Sequence, residues 1–245
     1  MIIDTHAHLN FDAYDKDRAE VIQRTLDGNI YCINVGCSLV SSKAAIELAE
    51  NHEGFWAAVG LHPTDVDEIF NVQDYRDLAR SKKVVAIGEI GLDFFRPPFD
   101  KEKQTTIFLQ QLALAKELDL PVIIHCRAAH DEMIKTLKER QLRGTIHCFT
   151  GTWQQAQKYM ELGFYLGIGG IIFKFNIDET LRNMPLERLL VETDCPFLSP
   201  PMASSKRNEP MFIKHTIQKI AELKGITLEN VRDITTENAK RLFKL

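Results

Sequence analysis

The sequence lacks several features that mark common classes of protein. It has five cysteines but no C-x-x-C pair, and an odd number of cysteines in a chain of 245 residues argues against a disulfide framework. It has no hydrophobic run of membrane-spanning length, and its first residues do not read as a basic segment followed by an apolar one. We therefore expect a cytoplasmic protein with no membrane partner.

An excess of basic residues is also missing. The formal net charge is -4, so the chain has no broad positive field of the kind that holds duplex DNA through many phosphates. Any contact with nucleic acid must therefore be local. The Gly-rich turn of dinucleotide-binding sheets is absent as well, because the chain reads His-Ala-His-Leu-Asn-Phe after its first apolar run.

Apolar runs that alternate with helical patterns fill most of the chain. With 44% hydrophobic residues, the sequence suits one large domain over residues 1–245. Strand-like runs occur at residues 2–9, 30–36, 55–61, 84–90, 122–126, 145–149, 164–168 and 189–193. Helical patterns occur at residues 18–26, 42–51, 74–81, 101–118, 131–139, 153–162 and 178–184.

This strict alternation predicts parallel strands joined by crossover helices. About eight such units in roughly 250 residues favour a closed (β/α)₈ barrel of the TIM type over an open doubly wound sheet. The tail predicts two further helices, at residues 211–224 and 228–243, with Gly225 as a C-cap signal and Thr227 as an N-cap signal between them. We therefore predict an α/β barrel whose extra C-terminal helices complete its outer layer.

Residues of metal-ligand type stand at the ends of these apolar runs, and the six candidates are His6, His8, Glu89, His125, His147 and Asp194. A strand sends alternate side chains to one face, so His6 and His8 can reach the same cation. The carboxyl ends of barrel strands converge, which lets ligands far apart in sequence meet within the coordination distance of about 2.0–2.2 Å. Four histidines and two carboxylates suffice for two cations.

A structural explanation competes with the metal site for each residue taken alone. A single histidine at a strand end is more often a hydrogen-bonded structural residue. Six together are hard to explain in that way, because burying many unpartnered polar groups is costly. Asp4 and Glu192 share strand faces with candidate ligands and are expected to accept the other N–H of a ligating histidine. For Glu192 a purely structural hydrogen bond is an equal alternative.

Several segments resemble the TatD family of metal-dependent deoxyribonucleases. They are Asp-Thr-His-Ala-His-Leu, Gly-Leu-His-Pro, Gly-Glu-Ile-Gly-Leu-Asp-Phe, His-Cys-Arg, Ile-His-Cys-Phe-Thr-Gly, Glu-Thr-Asp-Cys-Pro-Phe-Leu and Arg-Asn-Glu-Pro. The resemblance covers the whole chain and implies a (β/α)₈ barrel with two divalent metals that hydrolyses DNA phosphodiesters. One departure is Phe94, which stands where the family commonly has a tyrosine.

The resemblance also implies how the ligands are shared between the two metals. His6, His8, Glu89 and Asp194 would hold one, and Glu89 would bridge to the other, which His125 and His147 complete. Many related barrels place a modified lysine at the bridging position, so a carboxylate there favours the TatD family over its lactonase-like relatives.

The resulting hypothesis is a 3′-to-5′ exonuclease that acts on single-stranded DNA ends. Paired metals activate water and offset charge on the phosphoryl oxygens, and a narrow barrel mouth suits a single-stranded end better than an internal duplex site. We expect Glu89 to be catalytic as the bridging ligand and Asp194 to be both ligand and general base. The residues expected to contact substrate are His62, Phe94, Arg127 and Arg207. For His62 a structural role in its loop is an equal alternative.

The residues leave two other functions open. The same activated water can attack the carbonyl of an ester, lactone or amide in a small metabolite, because a fold does not determine a substrate. A barrel that uses its metals only for stability, as a nucleic-acid-binding module, is the non-enzymatic alternative. The sequence also leaves open whether the metals are Mg²⁺, Mn²⁺ or Zn²⁺, whether DNA or RNA is preferred, and the oligomeric state.

Overall fold

The computed structural model describes residues 1–245 and contains one sheet of eight parallel strands in chain order. The strands are β1 Ile2–Ala7, β2 Ile30–Val35, β3 Phe55–Val59, β4 Val84–Asp93, β5 Val122–Arg127, β6 Gly144–Ile146, β7 Tyr165–Ile168 and β8 Leu189–Val191. A parallel bridge between Ala7 and Cys195 brings the end of β1 to the chain that follows β8. The sheet is therefore nearly closed, which confirms the predicted TIM-type barrel.

One α-helix follows each of the first seven strands, and two more follow the last strand. The helices are α1 Arg18–Asp27, α2 Leu39–Asn51, α3 Val72–Leu78, α4 Lys101–Glu117, α5 His130–Lys138, α6 Trp153–Glu161, α7 Asp178–Asn183, α8 Ile213–Lys224 and α9 Leu228–Phe243. Gly225 adopts a left-handed φ of 63° after α8, and Thr227 accepts a hydrogen bond from the Asn230 N–H at the start of α9. The predicted boundary between the two tail helices is confirmed. None of the helices combines the length and apolar character needed to cross a membrane.

Burial explains why the strands read as continuous apolar runs. All ten residues of β4 are buried, as expected for a parallel strand that is covered on both faces. Two of the helices begin at residues whose side chains cap the first turn. Ser38 and Ser41 form a reciprocal capping box at α2, and Thr152 and Gln155 form another at α6.

Helix α9 covers the end of the barrel where the strands begin. The Asn238 side chain donates to the carbonyl of Leu189 at the start of β8, and Thr236 donates to the carbonyl of Met1. A buried apolar cluster joins this helix to seven strands and consists of Ile3, Ile33, Val35, Ala58, Val85, Ala86, Ile123, Tyr165, Leu190, Ala239, Leu242 and Phe243. The opposite end, where the candidate ligands lie, is left to form a cavity.

Five strands, β1, β2, β3, β6 and β8, end earlier than the sequence predicts, and two of these early ends affect the candidate site. The sixth and eighth apolar runs were expected to remain extended to residues 149 and 193, but β6 ends at Ile146 and β8 at Val191. Cys148 and Asp194 have φ values of 48° and 56°, which a strand cannot accommodate. The candidate ligands His147 and Asp194 consequently lie in the connections just beyond the strands.

The packing of α9 can be tested by Leu242→Ala. Leu242 is 3% exposed within the cluster described above, so its truncation should lower the free energy of unfolding by about 2–5 kcal/mol. Urea denaturation followed by circular dichroism measures this change. Ile69→Ala is the control, because Ile69 is 97% exposed and should change stability by less than about 0.5 kcal/mol. Equal effects of the two substitutions would contradict the role assigned to α9.

Candidate metal centre

Glu89 on β4 lies at the centre of the candidate site, and its side chain is only 4% exposed. Its Oε1 atom lies 2.8 Å from His147 Nε2, 3.0 Å from His125 Nδ1 and 3.5 Å from His62 Nε2. Its Oε2 atom faces a different set, at 3.4 Å from His6 Nε2 and 3.8 Å from His8 Nε2. The two oxygens of one carboxylate therefore divide the surrounding imidazoles into two groups.

The group at Oε2 has the geometry of a cation site. His6 Nε2 and His8 Nε2 lie 3.1 Å apart, and Asp194 Oδ1 is 3.4 Å from His8 Nε2 and 3.9 Å from His6 Nε2. Two nitrogens bound to one tetrahedral zinc ion at 2.0–2.1 Å would be about 3.3 Å apart. The donor atoms of these residues and of Glu89 thus fit a single shared cation.

The group at Oε1 offers a second set of donors. His62, Glu89 and His125 present atoms within 4.8 Å of one another, and His147 approaches the same oxygen most closely. This placement adds His62 to the side chains that could hold a cation, whereas the sequence predicted either a substrate contact or a structural role in its loop. Five predicted ligands and His62 are therefore brought together around the carboxylate of the sixth, Glu89.

Buried charge at the site is balanced within the cluster. Burial acts to raise the pKa of Glu89, but His147, His62 and His6 outweigh it and hold that pKa well below its ordinary value. Burial acts to lower the pKa of His147, yet Glu89 and Glu192 raise it well above its ordinary value. An ionised carboxylate in a buried site requires positive charge around it, and a divalent cation is well suited to supply it.

Backbone contacts align the two ends of the nearly closed sheet. Asp4 accepts hydrogen bonds from the N–H and the hydroxyl of Thr193 and from the N–H of His6. The Asp194 N–H donates to the carbonyl of His6 at 2.8 Å. Asp4 was expected to accept a ring N–H of a ligating histidine, but it holds the backbone instead, and it thereby places Asp194 beside His6.

Glu192 is fully buried behind His147. Its Oε1 accepts a hydrogen bond from the Cys148 N–H, while His147 Nδ1 is 3.5 Å from the same atom and has no hydrogen-bond partner. The Nδ1 atom of His6 is likewise unpartnered. The firm contact of Glu192 is therefore with the backbone after β6, and its expected role in orienting a histidine stays a prediction.

Sequence reasoning missed two residues at the site. Asp93 Oδ2 lies 3.0 Å from His125 Nε2, and the chain around Asp93 is held by two hydrogen bonds to the Gln104 amide. Asp93 was missed because β4 was expected to end at residue 90; the longer strand puts it on the same face as Glu89. Cys37 was also missed, and its Sγ lies 3.4 Å from Glu89 Oε2.

The centre lies at the base of a cavity of about 640 Å³. Of the four predicted substrate contacts, His62 and Arg127 line this cavity, whereas Phe94 and Arg207 do not. The cavity is also lined by Phe95, the neighbour of Phe94 in sequence.

Both exceptions have a structural reason. Phe94 stacks on Phe99 with 5.5 Å between ring centroids and faces Lys101, so it is part of the loop's own packing. Arg207 donates to both carboxylate oxygens of Asp17, at 2.7 and 2.6 Å, and also contacts Glu209. These two side chains lie outside the cavity, so their contact with substrate stays a prediction that their positions do not support.

Unfavourable backbone conformations are concentrated around the cavity. Seven residues other than glycine have positive φ, and four of them line it: Ala128, Cys148, Asp194 and Leu198. Such conformations cost about 1–3 kcal/mol each and persist only where the surrounding structure imposes them. The backbone around this cavity therefore lowers the stability of the folded protein.

The fold and the centre together define a class of protein, a barrel hydrolase with histidines and carboxylates arranged for divalent cations at the carboxyl ends of its strands. The chain belongs to the TatD family, because the family model described as "TatD related DNase" matches residues 3–244. It is a metal-dependent hydrolase of that family.

Individual relatives are similar over their full lengths. The chain is 42% identical over 254 residues to "Uncharacterized metal-dependent hydrolase YabD" of Bacillus subtilis, with 100% of both chains covered. It is 38% identical over 259 residues to "3'-5' ssDNA/RNA exonuclease TatD" of Erwinia tasmaniensis, again with 100% of both covered. The crystal structure of the TatD homologue YJJV from Escherichia coli K12 superposes with a TM-score of 0.94 at 30% identity, covering 100% of this chain and 98% of that one.

The position of Glu89 between the two groups of imidazoles predicts the effect of Glu89→Gln. Because both donor groups share this carboxylate, the variant should retain fewer than one Mn²⁺ per chain after dialysis, against about two for the wild type. Metal analysis by plasma emission spectroscopy measures this ratio. Glu53→Gln, at an exposed position, is the matched control and should bind like the wild type. Two ions retained by the Glu89 variant would rule out a bridging role.

Proposed function

We propose that the protein is a nuclease that hydrolyses phosphodiester bonds of single-stranded DNA from the 3′ end. The observation that carries this proposal is the division of donors between the two oxygens of Glu89, which suits a pair of cations. Paired cations supply an activated water and offset the charge that builds on phosphoryl oxygens. Relatives named 3′-5′ ssDNA/RNA exonucleases support the substrate class and the polarity.

Asp194 is the residue we assign to proton transfer. Burial acts to raise its pKa, but a hydrogen bond from His8 and the charges of His147 and His6 lower it below its ordinary value. The carboxylate is therefore ionised at neutral pH, and with 14% of its side chain exposed it is accessible from the cavity. It accepts the proton of the water that attacks phosphorus.

Arg127 is the residue we assign to phosphate binding. It is exposed on the cavity wall at the end of β5, and its guanidinium lies over the ring of Phe95, 3.9 Å from the centroid, instead of against a carboxylate. The donors at the edge of a stacked guanidinium remain free, and they can grip two oxygens of one phosphate. Arg127 thus holds the scissile or the neighbouring phosphate beside the centre.

The small-metabolite alternative rests on the volume of the cavity, since about 640 Å³ falls within the range of ordinary ligand pockets. The cavity is not a closed pocket, because it is bordered by phenylalanines that are half exposed to solvent, and this argues against the small-metabolite alternative. Membership of a family of metal-dependent hydrolases argues against the purely non-enzymatic alternative.

The proposed function is tested by following nucleotide release from 3′- and 5′-labelled single-stranded DNA with Mg²⁺ or Mn²⁺ and with chelator. The wild type should release mononucleotides from the 3′ end only when metal is present. Asp194→Asn should lower kcat by about 10²–10⁴-fold, because the proton acceptor is lost. Asp27→Asn, on the exposed face of α1, is the matched control and should be fully active.

Two results would contradict this account. Unchanged turnover of the Asp194 variant, with its fold intact by circular dichroism, would remove that residue from proton transfer. DNA and RNA left whole under every metal condition would reject the nuclease proposal and direct attention to carbonyl substrates.

We expect Arg127→Met to affect the binding of substrate and not the chemical step. The methionine keeps an unbranched apolar chain against Phe95 but removes the phosphate donors, so KM for DNA should rise about tenfold while kcat stays within about threefold. Steady-state kinetics at two salt concentrations measures both, and the variant should show the weaker salt dependence. Arg232→Met on the surface of α9 is the control. An unchanged KM would show that Arg127 does not bind phosphate.

A further inference from the structure

Exposed phenylalanine is confined to one place on this protein. The chain has 14 phenylalanines, and the three that are prominently exposed are Phe95 at 50%, Phe175 at 55% and Phe197 at 53%. All three line the cavity of the candidate metal centre. We refer to Phe95, Phe175 and Phe197 as the aromatic rim. Exposing three large rings to water is unfavourable in solvation free energy. Because all three lie at the mouth of one cavity, their exposed surface indicates a binding site for a ligand.

The aromatic rim is assembled from three separate connections. Phe95 follows β4, Phe175 follows β7, and Phe197 follows β8. Phe197 is braced by edge-to-face contacts with His8, at 6.2 Å between centroids, and with Phe11, at 6.4 Å. A ring that touches the candidate ligand His8 borders directly on the place where we expect the scissile phosphate.

Cationic side chains accompany the rings. The Arg127 guanidinium covers one side of Phe95, and the Arg96 guanidinium carbon lies 5.8 Å from the same ring centroid. Lys174 is exposed immediately before Phe175. Rings interleaved with cations match a strand in which each nucleotide offers one flat base and one phosphate. An apolar protein partner would not require these charges.

We propose that the aromatic rim is a stacking platform for unpaired nucleobases next to the scissile phosphate. The proposal rests on the proposed nuclease function and specifies how that site selects its substrate. Stacking tolerates any sequence, because every base has a π face. It also requires bases that have left their own stack, so the rim selects single-stranded over duplex ends.

The experiment compares two fluorescein-labelled oligonucleotides of equal length and charge. One is a ten-nucleotide thymidine strand, and the other carries tetrahydrofuran abasic residues in place of nine thymidines. Binding is followed by fluorescence anisotropy in the presence of chelator, so that neither strand is hydrolysed. The ratio of the two dissociation constants removes the contribution of the phosphates and isolates that of the bases.

The wild type should bind the thymidine strand at least about tenfold more tightly than the abasic strand. Phe95→Leu, Phe175→Leu and Phe197→Leu should each reduce this ratio by about threefold or more. Affinity for the abasic strand should stay the same in the Phe175 and Phe197 variants, whereas Phe95→Leu should weaken it as well, because Arg127 lies over this ring. Phe70→Leu is the matched control, because Phe70 packs on Tyr75 and does not line the cavity. Each variant is checked for an unchanged melting temperature.

Equal affinity for the two strands, binding of neither, or a ratio that the three rim variants leave unchanged would overturn the proposal. These outcomes differ from failure of the nuclease function, which is judged separately by release of nucleotides with metal. Equal hydrolysis of the thymidine and abasic strands would support the nuclease function but reject base stacking by the aromatic rim. Base-dependent binding that the rim variants reduce would support the platform whatever the polarity of cleavage.

Discussion

The negative charge of one buried carboxylate is the constraint on which the rest of the site depends. Glu89 lies on a completely buried strand, where an ionised group is costly unless positive charge and donors surround it. Imidazoles from four other parts of the chain approach its two oxygens, and their charges hold its pKa well below the ordinary value against the effect of burial. Any arrangement of ligands, substrate or water at this centre must accommodate that carboxylate first.

The barrel brings these imidazoles together because its two ends differ in structure. At one end α9 seals the sheet with apolar side chains, and Asn238 and Thr236 bond to the chain near the starts of β8 and β1. At the other end the strands stop and the backbone turns into strained conformations, as at Cys148 and Asp194. A well-packed base provides the stability that these costly conformations require.

Much of this arrangement could be predicted from sequence, and the exceptions have physical reasons. Strand ends of a parallel barrel meet at one edge, so apolar runs that end in His or Glu were enough to bring the six candidate ligands together. Asp93 could not be identified without knowing how far β4 extends. Arg207 lies outside the cavity in an ion pair with Asp17, which is 190 residues away in sequence, and no local pattern reveals such a pair.

We propose that Glu89 stands between two cations. The most direct test is the anomalous scattering of wild-type crystals soaked in Mn²⁺. We expect two peaks, one between Glu89 Oε2 and the His6 and His8 nitrogens, and one between Glu89 Oε1 and the nitrogens of His125 and His147. A single peak, or peaks that do not contact Glu89, would contradict it.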